Sequence, residues 1–480
     1  MLFNSFQFMI FLPFVVCLFF AIPHRYRWIL LLAASYYFYM CWKAEYILLI
    51  LFSTAIDYFV ALKISQLPDS NKKGRKKYLF LSLLTNFGLL FAFKYANFFN
   101  ESTRAVFNHF NIFYNVPVFK LLLPVGISFY TFQTVSYVID VYRGNQKAEK
   151  HFGIFALFVT FFPQLVAGPI ERSTNLLSQF YKKMEPNPQH ITDGLIRVLW
   201  GMFKKVVIAD RLAIYIERIY SNVDLYPAPT LILATYFFAF QIYCDFSGYS
   251  DIAIGSAKMM GFDLMENFQR PYFSTSIAEF WKRWHISLST WFRDYLYIPL
   301  GGNRVKTKWR WYFNLFTVFA VSGLWHGANW TFVIWGALHG FYLVFSIITA
   351  KFRERVANVI GLTQFPFIRK IIQIFITFHL VCFGWIFFRA NSVRDAHVVI
   401  SKIFSLNWGK FAEDSQKTLG YAFFGLSILI LIEIFQNNRA LPEFIQKNNL
   451  ALRWGFYVFC ATIILLMGVF DGGQFIYFQF

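Results

Sequence analysis

The chain has 480 residues, of which 57% are hydrophobic and 15% charged, and this composition excludes a water-soluble domain. Its net charge of +20 does not indicate nucleic-acid binding, because the cations lie between apolar segments, as they do in the cytoplasmic loops of membrane proteins. No hydrophilic block is long enough to fold separately. The sequence therefore predicts a single polytopic membrane domain over 1–480 that contacts lipid and binds no nucleic acid.

Apolar segments of roughly spanning length follow one another along the chain, and we predict about 11–13 spans. The loop Lys63–Lys77 is rich in cations and is placed in the cytoplasm, so counting back puts Met1 outside. The first segment lacks a basic start and a cleavage site, so it is expected to stay as a transmembrane helix. The predicted spans are 2–22, 28–43, 45–63, 78–99, 121–141, 152–168, 194–210, 230–246, 311–324, 328–349, 371–388, 420–436 and 454–470.

Two regions are too polar to cross the membrane simply. Pro163–Ser173 contains helix-breaking proline and glycine, and it is either a re-entrant turn that lines a cavity or a loop at the membrane surface. In 263–310, Ser276 and Glu279 form a capping-box pattern that opens a helix. Aromatic residues then recur at helical spacing, which predicts an amphipathic, interfacial or re-entrant helix with His285 on its aromatic face.

Histidine is costly in hydrocarbon and titrates near neutrality, so an intramembrane histidine is a candidate for proton transfer. His326, in S-G-L-W-H-G-A-N-W, is either such a group or a core histidine bonded to a carbonyl. His285 alone is more typical of a polar anchor beside tryptophans. His339 and His379 lie in spans and are expected to be satisfied by packing. The histidines have no metal-ligand spacing, so no metal site is predicted.

Two further polar groups are candidates for the site. Asp245 and Tyr249 share a helix face at i and i+4; they either support a catalytic site or mark a hydrogen-bonded break between two spans. The C-terminal tail, 471–480, is aromatic and either packs at the membrane interface or presents Tyr477 to the active chamber. A phenol needs a nearby base to become a nucleophile, and His326 is a candidate for that base.

Several motifs occur in order along nearly the whole chain: P-V-G-I-S-F-Y-T-F-Q from Pro124, P-Q-L-V-A-G-P-I, Q-I-Y-C-D-F-S-G-Y-S-D, W-H-I-S-L-S-T-W-F-R-D-Y-L-Y-I-P-L-G-G-N-R and S-G-L-W-H-G-A-N-W. Together they resemble the membrane-bound O-acyltransferases, and within these the bacterial alginate O-acetyltransferase subgroup. The resemblance implies an all-α membrane protein whose helices form a ring around a funnel. It also implies that His326 and His285 are functional, and that Tyr477, in the terminal pattern F-I-Y-x-x-F, receives the acyl group.

The resemblance implies transfer of an acetyl group from a cytoplasmic thioester, acetyl-CoA, for O-acetylation of an extracytoplasmic polysaccharide such as an alginate-like exopolysaccharide or a cell-wall glycan. No tightly bound cofactor is expected. A separate extracytoplasmic acetyltransferase or polysaccharide-binding protein is an expected partner, and the bacterial cytoplasmic membrane is the expected location. A proton-coupled transporter or flippase, or a non-catalytic subunit of polysaccharide export, is the alternative. His326 would be the base and His285 would position the thioester; supporting residues would be Asp245, Tyr249, Trp325 and Asn329, and donor-phosphate contacts would be Lys282, Arg283 and Arg293.

Overall fold

The computed structural model of the protein describes residues 1–119, 123–166, 168–405, 409–410, 416–437 and 439–470, and the regular structure in these ranges is helical, without a β-strand. The first ten helices, α1 to α10, are Phe6–Ala21, His24–Met40, Ile47–Gln66, Lys72–Leu90, Ala96–His109, Ile127–Arg143, Phe152–Thr160, Phe162–Leu165, Ser173–Phe180 and Pro188–Met202. Helices α11 to α22 are Asp210–Tyr220, Ala228–Met259, Ile277–Arg283, Ile286–Phe292, Lys308–His326, Trp330–Ile348, Ala350–Val359, Pro366–Arg389, Val393–Phe404, Gln416–Gln436, Leu441–Gln446 and Leu450–Met467.

The predicted all-α membrane class is confirmed. In the described part of the chain, seven helices are long and apolar enough to cross a membrane, and α1 is a shorter apolar helix. Other predicted spans coincide with helices that are shorter or less apolar, so a count of 11–13 and a ring around a funnel stay predictions. The seven are Ala44–Gln66, Lys72–His109, Ala228–Met259, Trp330–Ile348, Pro366–Arg389, Leu419–Gln436 and Leu450–Met467.

The described residues form two compact units, and the prediction of one polytopic domain stays a prediction. The first unit comprises Met1–Val198 and Ser250–Met265, and the second comprises Leu199–Tyr249 and Glu266–Phe480. The helix α12 belongs to both, and it runs unbroken from Ala228 to Met259. A helix break between two spans at 241–255, one of the two interpretations of that polar segment, is therefore wrong.

In the first unit a buried carboxylate joins three helices. Asp57 of α3 is fully buried and accepts hydrogen bonds from Ser82 Oγ at 2.5 Å and from Asn86 Nδ2 at 2.9 and 3.0 Å, both on α4. Asn86 Oδ1 in turn accepts from Ser53 Oγ at 2.7 Å and from Thr134 Oγ1, on α6, at 3.4 Å. Every donor in this network points towards an acceptor, which satisfies a carboxylate that would otherwise be costly in the membrane.

The described residues of the segment 163–173 are buried in the first unit, except for the half-buried Arg172. Gln164, Ile170 and Glu171 each expose 2% of their surface or less. The Glu171 carboxylate accepts hydrogen bonds from the backbone N–H of Met265 and from Asn175 Nδ2. Protein therefore encloses the described backbone of this segment, as irregular backbone requires at membrane depth. Both interpretations, a re-entrant turn that lines a cavity and a loop at the membrane surface, stay predictions.

In the second unit α15 and α16 pack against each other through glycine. A Cβ on Gly323 would lie 2.3 Å from the carbonyl oxygen of Phe332, and a Cβ on Gly336 would lie 2.3 Å from that of Phe319. No other residue permits so close an approach of two helices. This contact fixes the end of α15, where His326 lies, against the first turns of α16.

Candidate active site

His326 is the last residue of α15 and exposes only 3% of its surface. Its imidazole is surrounded by aromatic rings, with ring centroids at 4.9 Å from Trp325, 5.0 Å from Trp335 and 5.4 Å from Phe388. Such a lining excludes water from the ring, and polar interactions are stronger in such surroundings than in bulk solvent. The position suits a base that acts on a group brought into the protein.

His285 is fully buried and has a left-handed backbone conformation, with φ 44° and ψ 56°. The predicted amphipathic helix is therefore wrong in one respect, because α13 ends at Arg283 and a new helix, α14, begins after His285. Asn267 holds this turn: its carbonyl oxygen accepts from the Ile286 N–H at 2.9 Å, and its Oδ1 accepts from Ser287 N at 3.2 Å and Ser287 Oγ at 3.0 Å. Strain of this kind costs roughly 1–2 kcal/mol and concentrates at functional sites.

The structure brings the two histidines to the same place through Trp325. The Trp325 ring centroid lies 4.9 Å from that of His326 and 6.3 Å from that of His285. His285 also packs edge-on against Phe246 of α12, with ring centroids 4.5 Å apart. Both imidazoles therefore lie near the same indole ring in the interior of the second unit.

Asp245 and Tyr249 are buried on α12 beside a lysine that the sequence reasoning missed. Lys205 Nζ lies 2.7 Å from Asp245 Oδ1 and 2.8 Å from Asp210 Oδ1, and it lies 5.5 Å from the centre of the Tyr249 ring. Lys205 and Asp245 expose 1% and 3% of their surfaces. The only signal in the sequence was a pair of lysines within an apolar run.

Lys205 lies in a seven-residue π-helix, Phe203–Ala209, between α10 and α11. A π-helix accommodates extra residues per turn and occurs mostly at functional sites. Within it, the carbonyl oxygen of Val206 accepts a hydrogen bond from the N–H of Val469 at 2.9 Å. The chain just beyond α22 is therefore attached next to the Lys205 ion cluster. Tyr477 itself lies outside the described residues.

Asn329 has a structural role as the N-cap of α16. Its Oδ1 accepts from the backbone N–H of Thr331 at 3.0 Å, and its Nδ2 donates to the carbonyl of Asn391 at 3.2 Å. These bonds use both ends of the amide to start the helix that carries Trp335. Asn329 therefore supports the site by fixing the position of α16.

The three basic residues predicted to contact donor phosphates lie outside the buried cluster. Arg283 pairs with Glu279 at 2.6 Å, Arg293 pairs with Asp294 at 2.7 Å, and the side chain of Lys282 is exposed. Burial raises the pKa of the Glu279 carboxyl, but hydrogen bonds from Thr275 and the charge of Arg283 outweigh it and hold that pKa below its usual range. Glu279 is therefore an anion at neutral pH and forms an ion pair with Arg283.

The expectation that packing satisfies His339 and His379 is confirmed for His379, whose ring nitrogens lie 3.0 Å from Tyr236 Oη and 2.8 Å from the carbonyl oxygen of Phe375. For His339 the same expectation is wrong for one of the two ring nitrogens. Its Nδ1 accepts from Trp281 Nε1 at 3.3 Å, but its Nε2 has no hydrogen-bond partner among the described residues. Within the described ranges, no cluster of three or more metal-ligating side chains occurs.

Comparison with known proteins identifies the class. Residues 150–390 match the model of the membrane-bound O-acyltransferase family. The chain is 38% identical to a protein of Pseudomonas putida named probable alginate O-acetylase AlgI, over 100% of both chains. It is 37% identical to a peptidoglycan O-acetyltransferase of Helicobacter pylori, over 78% of this chain and 73% of that one. It is also 28% identical to a teichoic acid D-alanyltransferase of Bacillus subtilis, over 58% of this chain and 72% of that one.

The chain therefore belongs to the membrane-bound O-acyltransferase family, and it is a multi-pass membrane O-acyltransferase. The matched region contains His285, His326 and the Lys205 ion cluster with Asp210 and Asp245. Membership favours an enzyme over the transporter or export subunit that the sequence left open. An acyl donor and a hydroxyl acceptor follow from the class of reaction.

Proposed function

We propose that this enzyme transfers an acetyl group from cytoplasmic acetyl-CoA towards hydroxyl groups of an extracytoplasmic polysaccharide, either an alginate-like exopolysaccharide or a cell-wall glycan. The names of the relatives support the class of acceptor and rank acetyl above D-alanyl, because the relatives named as O-acetylating enzymes are 37–42% identical and the D-alanyltransferases 28–29%. The bacterial cytoplasmic membrane, with Met1 outside, is the proposed location. A separate extracytoplasmic transferase is the proposed partner.

One observation carries the mechanism: two buried imidazoles, His326 and His285, both lie near Trp325 in a water-poor interior. In the reaction His326 takes the proton of the attacking hydroxyl as its oxygen bonds to the thioester carbonyl carbon. The carbonyl π pair moves onto the carbonyl oxygen. When that intermediate collapses, the C–S bond breaks and the proton passes from His326 to the departing sulfur, which leaves as the free thiol of coenzyme A. General base catalysis of this kind contributes about 10²- to 10⁴-fold.

His285 is assigned to position the thioester. Its left-handed backbone is held by Asn267, so the orientation of its imidazole is set by the turn between α13 and α14. The Lys205–Asp245 pair supports this arrangement indirectly, because Asp245 precedes Phe246 in the chain and the His285 ring packs against Phe246. Lys282, Arg283 and Arg293 remain candidates for attracting the phosphates of coenzyme A or of lipid.

Tyr477 is proposed as the first acyl acceptor. Support comes from the attachment of Val469 to Val206, one residue from Lys205. Tyr477 follows Val469 by eight residues, and a chain of that length spans up to about 27 Å when extended. The acyl-tyrosine would then pass its acetyl group to the partner or to the polysaccharide.

The test is transfer of radiolabelled acetyl-CoA to the full chain in proteoliposomes. Wild-type protein is expected to acquire label that treatment with hydroxylamine removes, and Tyr477→Phe is expected to lose it. Tyr457→Phe, in α22, is the matched control and should keep it. Label retained by Tyr477→Phe contradicts the acyl-tyrosine step. If none of the proteins acquires label or releases thiol from acetyl-CoA, even with polysaccharide added, acetyl transfer itself is contradicted.

A further inference from the structure

Two N–H groups on one face of α16 are buried without an acceptor in the described part of the chain. Trp335 and His339 are one helical turn apart, both are fully buried, and their ring centroids are 5.0 Å apart. Neither Trp335 Nε1 nor His339 Nε2 has a hydrogen-bond partner among the described residues. Most buried polar groups in proteins are paired, so two neighbouring exceptions require an explanation.

The contact with Trp281 decides which nitrogen of His339 carries the proton. Trp281 Nε1 can only donate, and it donates to His339 Nδ1 at 3.3 Å. In the neutral ring the hydrogen must then be on Nε2. His339 and Trp335 therefore present two N–H donors and no acceptor at these edges.

Both edges face the same glycine. A Cβ on Gly384 of α18 would lie 2.9 Å from His339 Nε2 and 3.6 Å from Trp335 Cδ1, the carbon bonded to Nε1. Gly384 therefore presents no side chain to the two donors. The Trp335 ring is also in edge contact with the ring of His326, with centroids 5.0 Å apart.

We infer that Trp335 Nε1–H and His339 Nε2–H are the donors for the carbonyl oxygen of the acyl thioester. The inference rests on the proposed function, in which His326 is the base. As the acceptor hydroxyl adds to the carbonyl carbon and its proton passes to His326, the π pair moves to the carbonyl oxygen, and the two N–H groups stabilise that charge. Donors already placed in a water-poor site stabilise such an oxyanion without reorganisation.

A buried water molecule is the other oxygen that two such donors attract. It differs in its consequence, because a structural water affects folding but not the chemical step. Conservative substitutions separate the two. Trp335→Phe removes the N–H but keeps most of the ring. His339→Gln keeps a donor near the position of Nε2, whereas His339→Asn keeps a polar group near Nδ1, the atom bonded by Trp281.

The matched control is Trp385→Phe. Trp385 is equally buried and stacks on Trp335 at 5.9 Å, but its Nε1 donates within the protein, to Tyr272 Oη at 3.2 Å. The assay uses inverted membrane vesicles from the producing bacterium, which contain the native partners. Radiolabelled acetyl-CoA is titrated, and the maximal rate per chain and the KM are obtained for each variant, with His326→Ala as reference.

We expect Trp335→Phe and His339→Asn to lower the maximal rate about 10²-fold, the usual effect of losing one oxyanion donor, with KM changed by less than about threefold. His339→Gln should be faster than His339→Asn, and Trp385→Phe should match the wild type. Wild-type maximal rates in Trp335→Phe and His339→Asn, with His326→Ala inactive, overturn this inference alone and indicate a structural water. His339→Asn faster than His339→Gln also overturns it, because the bond to Trp281 would then be what matters. An active His326→Ala contradicts the proposed function itself.

Discussion

Replacing Lys205 by methionine tests whether the buried ion cluster holds the second unit together. Lys205 Nζ lies 2.7 and 2.8 Å from two carboxylates, and Lys205 and its two partners expose 4% of their surfaces or less. At an effective dielectric constant of about 20, each attraction is worth roughly 6 kcal/mol before the cost of desolvation. Methionine fills the same volume but leaves Asp210 and Asp245 buried without this cation. Removing one partner of a buried pair costs about 3–5 kcal/mol.

The loss should appear in thermal unfolding of the detergent-solubilised protein as a fall in midpoint of roughly 5–10 °C. Lys258→Met is the matched control, because Lys258 makes a 2.7 Å pair with Asp263 that is partly exposed to solvent. Pairs of that kind contribute about 0–1 kcal/mol. Adding Asp245→Asn to Lys205→Met should recover part of the loss. If Lys205→Met unfolds at the same temperature as Lys258→Met, the ion cluster does not stabilise the fold.

Three further predictions concern single side chains. Asn86→Ala deprives the Asp57 carboxylate of its amide donor and should lower the free energy of unfolding by about 1–3 kcal/mol. Thr85→Ala, half-buried on the same helix and bonded only to the carbonyl of Leu81, should change the thermal midpoint little, and equal midpoints of the two variants would contradict the network. His285→Asn should fold normally because asparagine tolerates the left-handed conformation, whereas His285→Val, which is β-branched, should lower the free energy of unfolding by about 1–2 kcal/mol more. Equal abundance and equal thermal midpoints of the two variants would refute the strain at His285. Asn329→Ala removes the N-cap of α16 and should lower the free energy of unfolding by about 0.5–2 kcal/mol. The maximal acyl-transfer rate per folded chain should stay within about threefold of wild type, and a larger loss of rate would show a direct role of Asn329 in the chemistry.

The membrane class and the helical content could be predicted because they depend on composition and on the length of apolar segments, both of which are read directly from the sequence. The prediction that His326 and His285 are functional came from the motifs around them, through their resemblance to a known family. Their common proximity to Trp325 could not be predicted, since it depends on how α13, α14 and α15 pack.

Other parts of the site depend on contacts between residues far apart in the chain. Lys205 and Asp245 are forty residues apart, and only packing of a π-helix on α12 joins them. The left-handed turn at His285 interrupts an aromatic pattern whose spacing is helical on both sides, so periodicity predicted a continuous element. His339 resembled an ordinary core histidine because the bond from Trp281 that fixes its proton is not visible in the sequence.

His326 is proposed as the base of acetyl transfer. The most direct test is the O-acetyl content of the exported polysaccharide in cells that carry His326→Ala, at membrane abundance equal to wild type. His379→Ala is the matched control, because His379 is also in a span and its ring bonds to Tyr236. We expect acetylation to fall at least 10²-fold in His326→Ala and to persist in His379→Ala. Normal acetylation in His326→Ala would contradict the assignment of the base.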